Sequence, residues 1–246
     1  MSDLTGRVAL VTGGSRGIGA SIARRLAGDG ADVALTYRDD EAGAASVVAE
    51  IESRGRRAIA LRADSGDAEQ VTGAVDRAAR ELGGLDVLVN NAGIFPAKPF
   101  EEFTVAEIDR ALDVHARAAF LAAQAAVAYM ADGGRIISIG TNLVERAPFG
   151  GLSLYNLSKS ALNGFTRALA RELGPRGITV NLVQPGSTDT DMNPAGGAHA
   201  PDQVALTALG RFGAAEDIAA AVSFLAGESG RTVTGSFLTV DGGTNA

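Results

Sequence analysis

Seven short apolar runs recur along the chain, at residues 7–12, 32–37, 58–63, 86–89, 135–140, 178–183 and 237–240. Their apolar side chains stand at consecutive rather than alternate positions, the pattern of strands buried on both faces. Between them lie Ala-rich amphipathic stretches long enough for crossover helices, among them residues 67–82 and 106–130, so strand and helix alternate. Strands covered on both faces and joined by such crossovers predict an α/β fold, a doubly wound sandwich around a seven-stranded parallel sheet. No linker, repeat or low-complexity tract interrupts the chain, and residues 1–246 read as a single domain. One long irregular stretch, residues 185–201, is rich in Gly, Pro, Asp and Thr. A loop of that length in a compact domain is usually functional, and after a strand it takes the place of a substrate lid.

Composition narrows the setting. The chain is 46% apolar, ample for a buried core, and its net charge of −7 argues against binding nucleic acid or an acidic membrane surface. There is no cysteine, which excludes disulfides and thiolate metal sites, and the two histidines, His115 and His199, cannot build a histidine-rich metal site. Residues 1–6 lack the basic start and apolar core of a signal peptide, and no apolar run reaches the roughly 18 residues of a membrane helix. The expectation is a soluble cytoplasmic protein without bound metal.

Chemistry first shows at the first strand's exit. Thr12-Gly13-Gly14-Ser15-Arg16-Gly17-Ile18-Gly19 leads from that strand into a helix, where small residues let backbone amides approach a phosphate at the positive helix end. The spacing G-x-x-x-G-x-G departs from the commoner G-x-G-x-x-G, yet its place at first strand, first turn and first helix points to a dinucleotide. At the tip of the second strand, Tyr37-Arg38 puts a guanidinium where a carboxylate would select a free ribose hydroxyl. With Arg16 as a second positive charge, the site favours NADP, with NADPH preferred over NADH.

Tyr155-Asn156-Leu157-Ser158-Lys159 opens a helix that continues to about residue 173 and sets Tyr155 and Lys159 one turn apart on one face. With three tyrosines and two lysines in 246 positions, chance yields roughly 0.02 such pairs. The other 20 cations are arginines, so a lysine here marks a site that needs a compact ammonium. A phenol is a poor acid-base group at neutral pH, and an adjacent cation is expected to lower its pKa. Tyr155 could then give a proton to a carbonyl oxygen or take one from an alcohol.

These motifs, with Asn90-Asn91-Ala92-Gly93 after the fourth strand and Pro185-Gly186 followed by Thr188 and Thr190, resemble the short-chain dehydrogenase/reductase family over essentially the whole chain. The resemblance implies a Rossmann-type fold, a nicotinamide cofactor, reversible reduction of a carbonyl to an alcohol, and a homodimer or homotetramer. It assigns Asp64 and Ser65 to the adenine side, and Asn91, Ala92 and Gly93 to the turn beside the adenosine ribose. Lys159 would also hold the nicotinamide ribose, and Pro185, Gly186, Thr188 and Thr190 the nicotinamide end. Two catalytic positions depart from the family pattern. Thr141 stands where a substrate-orienting serine is usual; it keeps the hydroxyl and adds a methyl. His115 stands where the family usually has an asparagine that holds a water, which leaves a proton relay and a passive core histidine both open. Residues 174–179 and 191–194 also resemble a branch tied to cyclic-di-GMP binding and biofilm dispersal, so the alternative is a nucleotide sensor with little or no turnover.

Overall fold

The computed structural model describes residues 2–246; Met1, the first residue of the segment weighed as a signal peptide, lies outside them. The strands are β1 (Val8–Val11), β2 (Asp32–Tyr37), β3 (Ala58–Arg62), β4 (Val87–Asn90), β5 (Arg135–Ile139), β6 (Thr179–Pro185), β7 (Thr188–Asp189), β8 (Gly213–Ala214) and β9 (Phe237–Val240). The helices are α1 (Gly17–Gly28), α2 (Glu41–Glu52), α3 (Ala68–Leu82), α4 (Val105–Leu112), α5 (Ala118–Val127), α6 (Ser153–Leu173), α7 (Ala200–Leu206) and α8 (Ala215–Ala226). Seven strands form one all-parallel sheet in the order β3-β2-β1-β4-β5-β6-β9, the sheet expected from the apolar runs.

The consecutive apolar positions divide between two helical layers. Val33 and Leu35 of β2 pack with Ile22, Leu26, Val47, Ile51 and Val222 of α1, α2 and α8. Leu10 of β1, Leu88 of β4 and Ile136 of β5 pack with Val71, Val75, Ala122 and Ala126 of α3 and α5. Full burial of each such leucine or isoleucine contributes about 1.5–3 kcal/mol, so truncating Leu88 to alanine is expected to cost about 2–5 kcal/mol. Strand order reverses between β1 and β4, which opens a crevice beyond their carboxyl ends, the usual ligand position in such a sheet.

Two segments differ from the sequence expectation. The helix expected over residues 106–130 is present but not regular: α4 and α5 run on from one another through a five-residue π-helical turn, Asp113–Arg117, that buries Val114 and His115, and the helix ends at Val127. π-turns inside helices often mark functional positions. Residues 185–201 are also more ordered than an irregular loop, since Pro185 still belongs to β6, β7 pairs with β8, and α7 begins at Ala200.

Candidate active site

The site is built at the carboxyl ends of β1, β4, β5 and β6. Gly13 has φ +66° and Gly17 φ +54°, conformations that L side chains rarely adopt. At Gly19 a Cβ would lie 2.2 Å from the Gly13 carbonyl oxygen and 2.5 Å from Asn91 Nδ2, so no larger residue fits the turn. Helices α2, α3 and α4 start under side-chain caps from Asp40, Asp67 and Thr104. Helix α1 has neither a side-chain cap nor an acidic residue in its first turn, and Arg16 stands exposed at its N-cap. Its first N–H groups are therefore unclaimed by side chains beside a glycine cradle, an arrangement that fits a phosphate.

The turn after β4 is tied to this cradle. Thr12 Oγ1 accepts from the backbone N–H groups of Asn91 and Ala92 at 2.9 and 3.0 Å, and Asn91 Nδ2 donates to the Thr12 and Gly13 carbonyls at 2.8 and 3.0 Å. The Asn91 amide thus braces the glycine turn. Thr190, beyond β6, lies against Gly17 from the other side: a Cβ there would meet the Thr190 methyl at 3.4 Å. The absence of a side chain at Gly186 answers to packing against β9, since a Cβ would lie 2.6 Å from Asp241 Cβ. Thr188 is buried and donates its hydroxyl to the Gly186 carbonyl.

At the other end of the crevice, Arg38 is exposed beyond β2 and paired with Asp39. Tyr37 packs partly into the core, and its carbonyl accepts from Ala63 N at 2.8 Å, which joins the tips of β2 and β3. Asp64 and Ser65, both half-buried, follow β3.

Tyr155 and Lys159 lie in the first two turns of α6, as their spacing predicts. Lys159 is buried, and its Nζ donates to the Ile139 carbonyl at 2.8 Å. Burial lowers its pKa to about 8. Burial also pushes the Tyr155 phenol up to about 12, while a hydrogen bond from the Thr141 side chain acts in the opposite direction. The net shift is therefore upward rather than the expected lowering, because desolvation of the phenol dominates. Thr141, just beyond β5, accepts from Leu143 N at 3.2 Å, and its hydroxyl proton remains free to donate. Ser138, the other hydroxyl on this strand, is fully buried within β5.

His115 closes the floor. The Ile94 N–H donates to His115 Nε2 at 3.0 Å, so the ring proton sits on Nδ1, 2.8 Å from Ser158 Oγ. Ser158 in turn donates to the Leu154 or Tyr155 carbonyl, each at 3.0 Å. Burial first, and then the charge of Lys159, hold the His115 pKa down at about 3, so the ring is neutral at ordinary pH. It stands edge-on to the Tyr155 ring at 5.9 Å, and the Phe95 ring packs against the same tyrosine at 4.7 Å. Ser158 is the partner that sequence reasoning passed over. Its signal is a serine on the buried face of α6, one turn from both Leu154 and Leu162.

The family model described as enoyl-(acyl carrier protein) reductase matches residues 13–245. A short-chain dehydrogenase from Burkholderia cenocepacia J2315 in complex with NADP is 58% identical with a TM-score of 0.98, over 99% of each chain. The chain belongs to the short-chain dehydrogenase/reductase family. Another relative in that family's fold is a blue fluorescent protein from a metagenomic library, in complex with NADPH, 56% identical over 99% of this chain and 100% of that one, TM-score 0.98. The cyclic-di-GMP-binding biofilm dispersal mediator protein of Escherichia coli (strain K12) is 42% identical over the whole of both chains. Short-chain dehydrogenase/reductases are oxidoreductases. No helix among the described residues is long and apolar enough to cross a membrane.

Proposed function

We propose that this chain is an NADPH-dependent reductase that converts a carbonyl to an alcohol, reversibly, on a small-molecule substrate. The observation that carries this reading is Tyr155, protonated and reached by Thr141, at the carboxyl edge of the sheet beside Lys159 and the glycine cradle. The NADP and NADPH complexes of two relatives support the choice of cofactor. Gly13, Ser15, Arg16, Gly17, Ile18 and Gly19 would hold the pyrophosphate, Tyr37 and Arg38 the 2′-phosphorylated ribose, and Asp64 and Ser65 the adenine. Asn91, Ala92 and Gly93 would form the turn beside the adenosine ribose, and Pro185, Gly186, Thr188 and Thr190 the nicotinamide end, with Tyr155 and Lys159 at its ribose.

When bound, the reduced nicotinamide supplies the hydride. Thr141 donates a hydrogen bond to the substrate oxygen and orients it. As negative charge builds there, the Tyr155 O–H bond breaks and its proton passes to that oxygen, which leaves an alcohol and a phenolate that solvent reprotonates. A phenol held near 12 keeps its proton at neutral pH, which suits donation. The Lys159 charge, available below about pH 8, stabilises the phenolate as it forms. His115 acts here as a positioning residue, since both ring nitrogens are already engaged and a relay would have to break one bond.

The test is NADPH oxidation by the purified protein against diketones, keto esters, aldehydes, quinones and acyl-thioester mimics, with Tyr155→Phe alongside. Turnover that falls by about 10²–10⁴ in the variant, with NADPH binding retained, is expected. The second reading is a cyclic dinucleotide sensor, favoured by the whole-length similarity to the dispersal mediator. It would require cyclic-di-GMP binding that Tyr155→Phe leaves intact, with no turnover on any carbonyl.

A further inference from the structure

Arg110, in the last turn of α4, reaches across to the turn after β3. Its Nη2 lies 2.7 Å from Asp64 Oδ1 and its Nη1 3.1 Å from Asp64 Oδ2, a two-pronged pair of half-buried groups. The turn is shaped to receive it: a Cβ on Gly66 would lie 1.8 Å from Arg110 Nη1, and Gly66 N donates to Asp64 Oδ1 at 2.8 Å. Arg117, at the end of the π-turn, donates to the Gly66 carbonyl at 2.9 Å. Asp64 also stands next to Arg38, because the tips of β2 and β3 are joined by the bonds from Ala63 N to the Tyr37 carbonyl and from Arg62 Nε to the Arg38 carbonyl. Arg38 already has one carboxylate competitor in Asp39. An unpaired Asp64 would be a second, and would set another negative charge against a 2′-phosphate.

We propose that Arg110 is a positioning and specificity residue for the cofactor: it fixes Asp64 as an acceptor for the adenine amino group and cancels its charge, so that Arg38 stays available to a 2′-phosphate. The inference rests on the NADP reading above. A lysine could not do the same work, because it lacks the planar fork that spans both carboxylate oxygens.

The probes are adenosine 2′,5′-bisphosphate and 5′-AMP, bound to the full chain and followed by calorimetry, so that the nicotinamide and turnover play no part. Arg110→Gln should weaken the bisphosphate on the order of tenfold and 5′-AMP much less, the size of one like-charge contact at a partly exposed site. Adding Asp64→Asn to Arg110→Gln removes the freed charge and should restore most of the bisphosphate affinity. A loss below twofold in the single variant would overturn the proposal. So would an equal loss in single and double variants, or equal losses for the two probes, since either would mean that Arg110 only braces the turn. A wild-type protein that binds neither probe would remove the NADP reading itself, and this inference with it.

Discussion

Substitution of His115 by asparagine turns the geometry of the site floor into a measurable pH dependence. Histidine in an unfolded chain titrates near 6.5, whereas in the fold burial and the Lys159 charge hold this ring down at about 3. The folded state therefore stays neutral while the unfolded chain takes up a proton as pH falls below 6.5. Stability from this group is fully present above 6.5 and is lost progressively as pH falls toward 3. Each unit is worth 1.36 kcal/mol, so lowering the pH from 7 to 5 should cost wild type about 2 kcal/mol through His115 alone.

Asparagine lacks that titration. At pH 7 His115→Asn should be less stable by roughly 1–3 kcal/mol, because the half-buried Ile94 N–H and the buried Ser158 hydroxyl each lose a partner, at 3.0 and 2.8 Å. Urea unfolding of both proteins at pH 7 and pH 5 gives the difference directly, since every group the two proteins share cancels from it. The gap between wild type and variant should shrink by about 2 kcal/mol at pH 5. A gap that stays constant to within about 0.5 kcal/mol would refute the neutral, fixed tautomer and return His115 to the role of a titrating relay. Turnover in the variant should stay within about tenfold, roughly 1.4 kcal/mol of barrier.

Other outcomes follow from the same site. Because Lys159 loses its proton near pH 8, kcat/KM for reduction should be level below that pH and fall by a factor of ten per unit above it; a profile flat to pH 10 would contradict the role given to its charge. Thr141→Ser should keep activity near that of wild type, whereas Thr141→Val, which holds the shape without the donor, should lose about 10²-fold in kcat/KM at unchanged NADPH affinity. Arg38→Asp should weaken NADPH binding by at least about tenfold and leave NADH binding little changed, as read by quenching or enhancement of cofactor fluorescence; equal losses would refute the assignment of Arg38 to the 2′-phosphate.

How far the chain announces this arrangement differs from element to element, for physical reasons. The strands stand out because both faces are buried, so Leu10, Leu35, Leu88 and Ile136 sit in unbroken apolar runs. Tyr155 and Lys159 stand out because helical spacing alone puts them on one face. The π-turn at Asp113–Arg117 does not, since no glycine or proline interrupts the helical pattern there. Its cause is long-range: the contacts of His115 with Ile94 and Ser158. The same holds for Asp64, whose partner Arg110 lies 46 residues away and shares no motif with it.

The ionisation of the tyrosine is the clearest case of a property set by depth rather than by spacing. Adjacency to a lysine predicts a phenol of lowered pKa, but burial of the phenol acts in the opposite direction and is the larger effect here. Here Lys159 bonds to Ile139, and the same burial that holds the phenol up at about 12 brings the lysine down to about 8. The two shifts diverge, so below pH 8 the pair rests as a neutral phenol beside a cation, the state from which the proposed reduction would start. Alcohol oxidation would have to start from a phenolate that this site disfavours until a bound cofactor or substrate changes its surroundings. The resting protonation of the free protein thus suits the proposed carbonyl reduction better than its reverse.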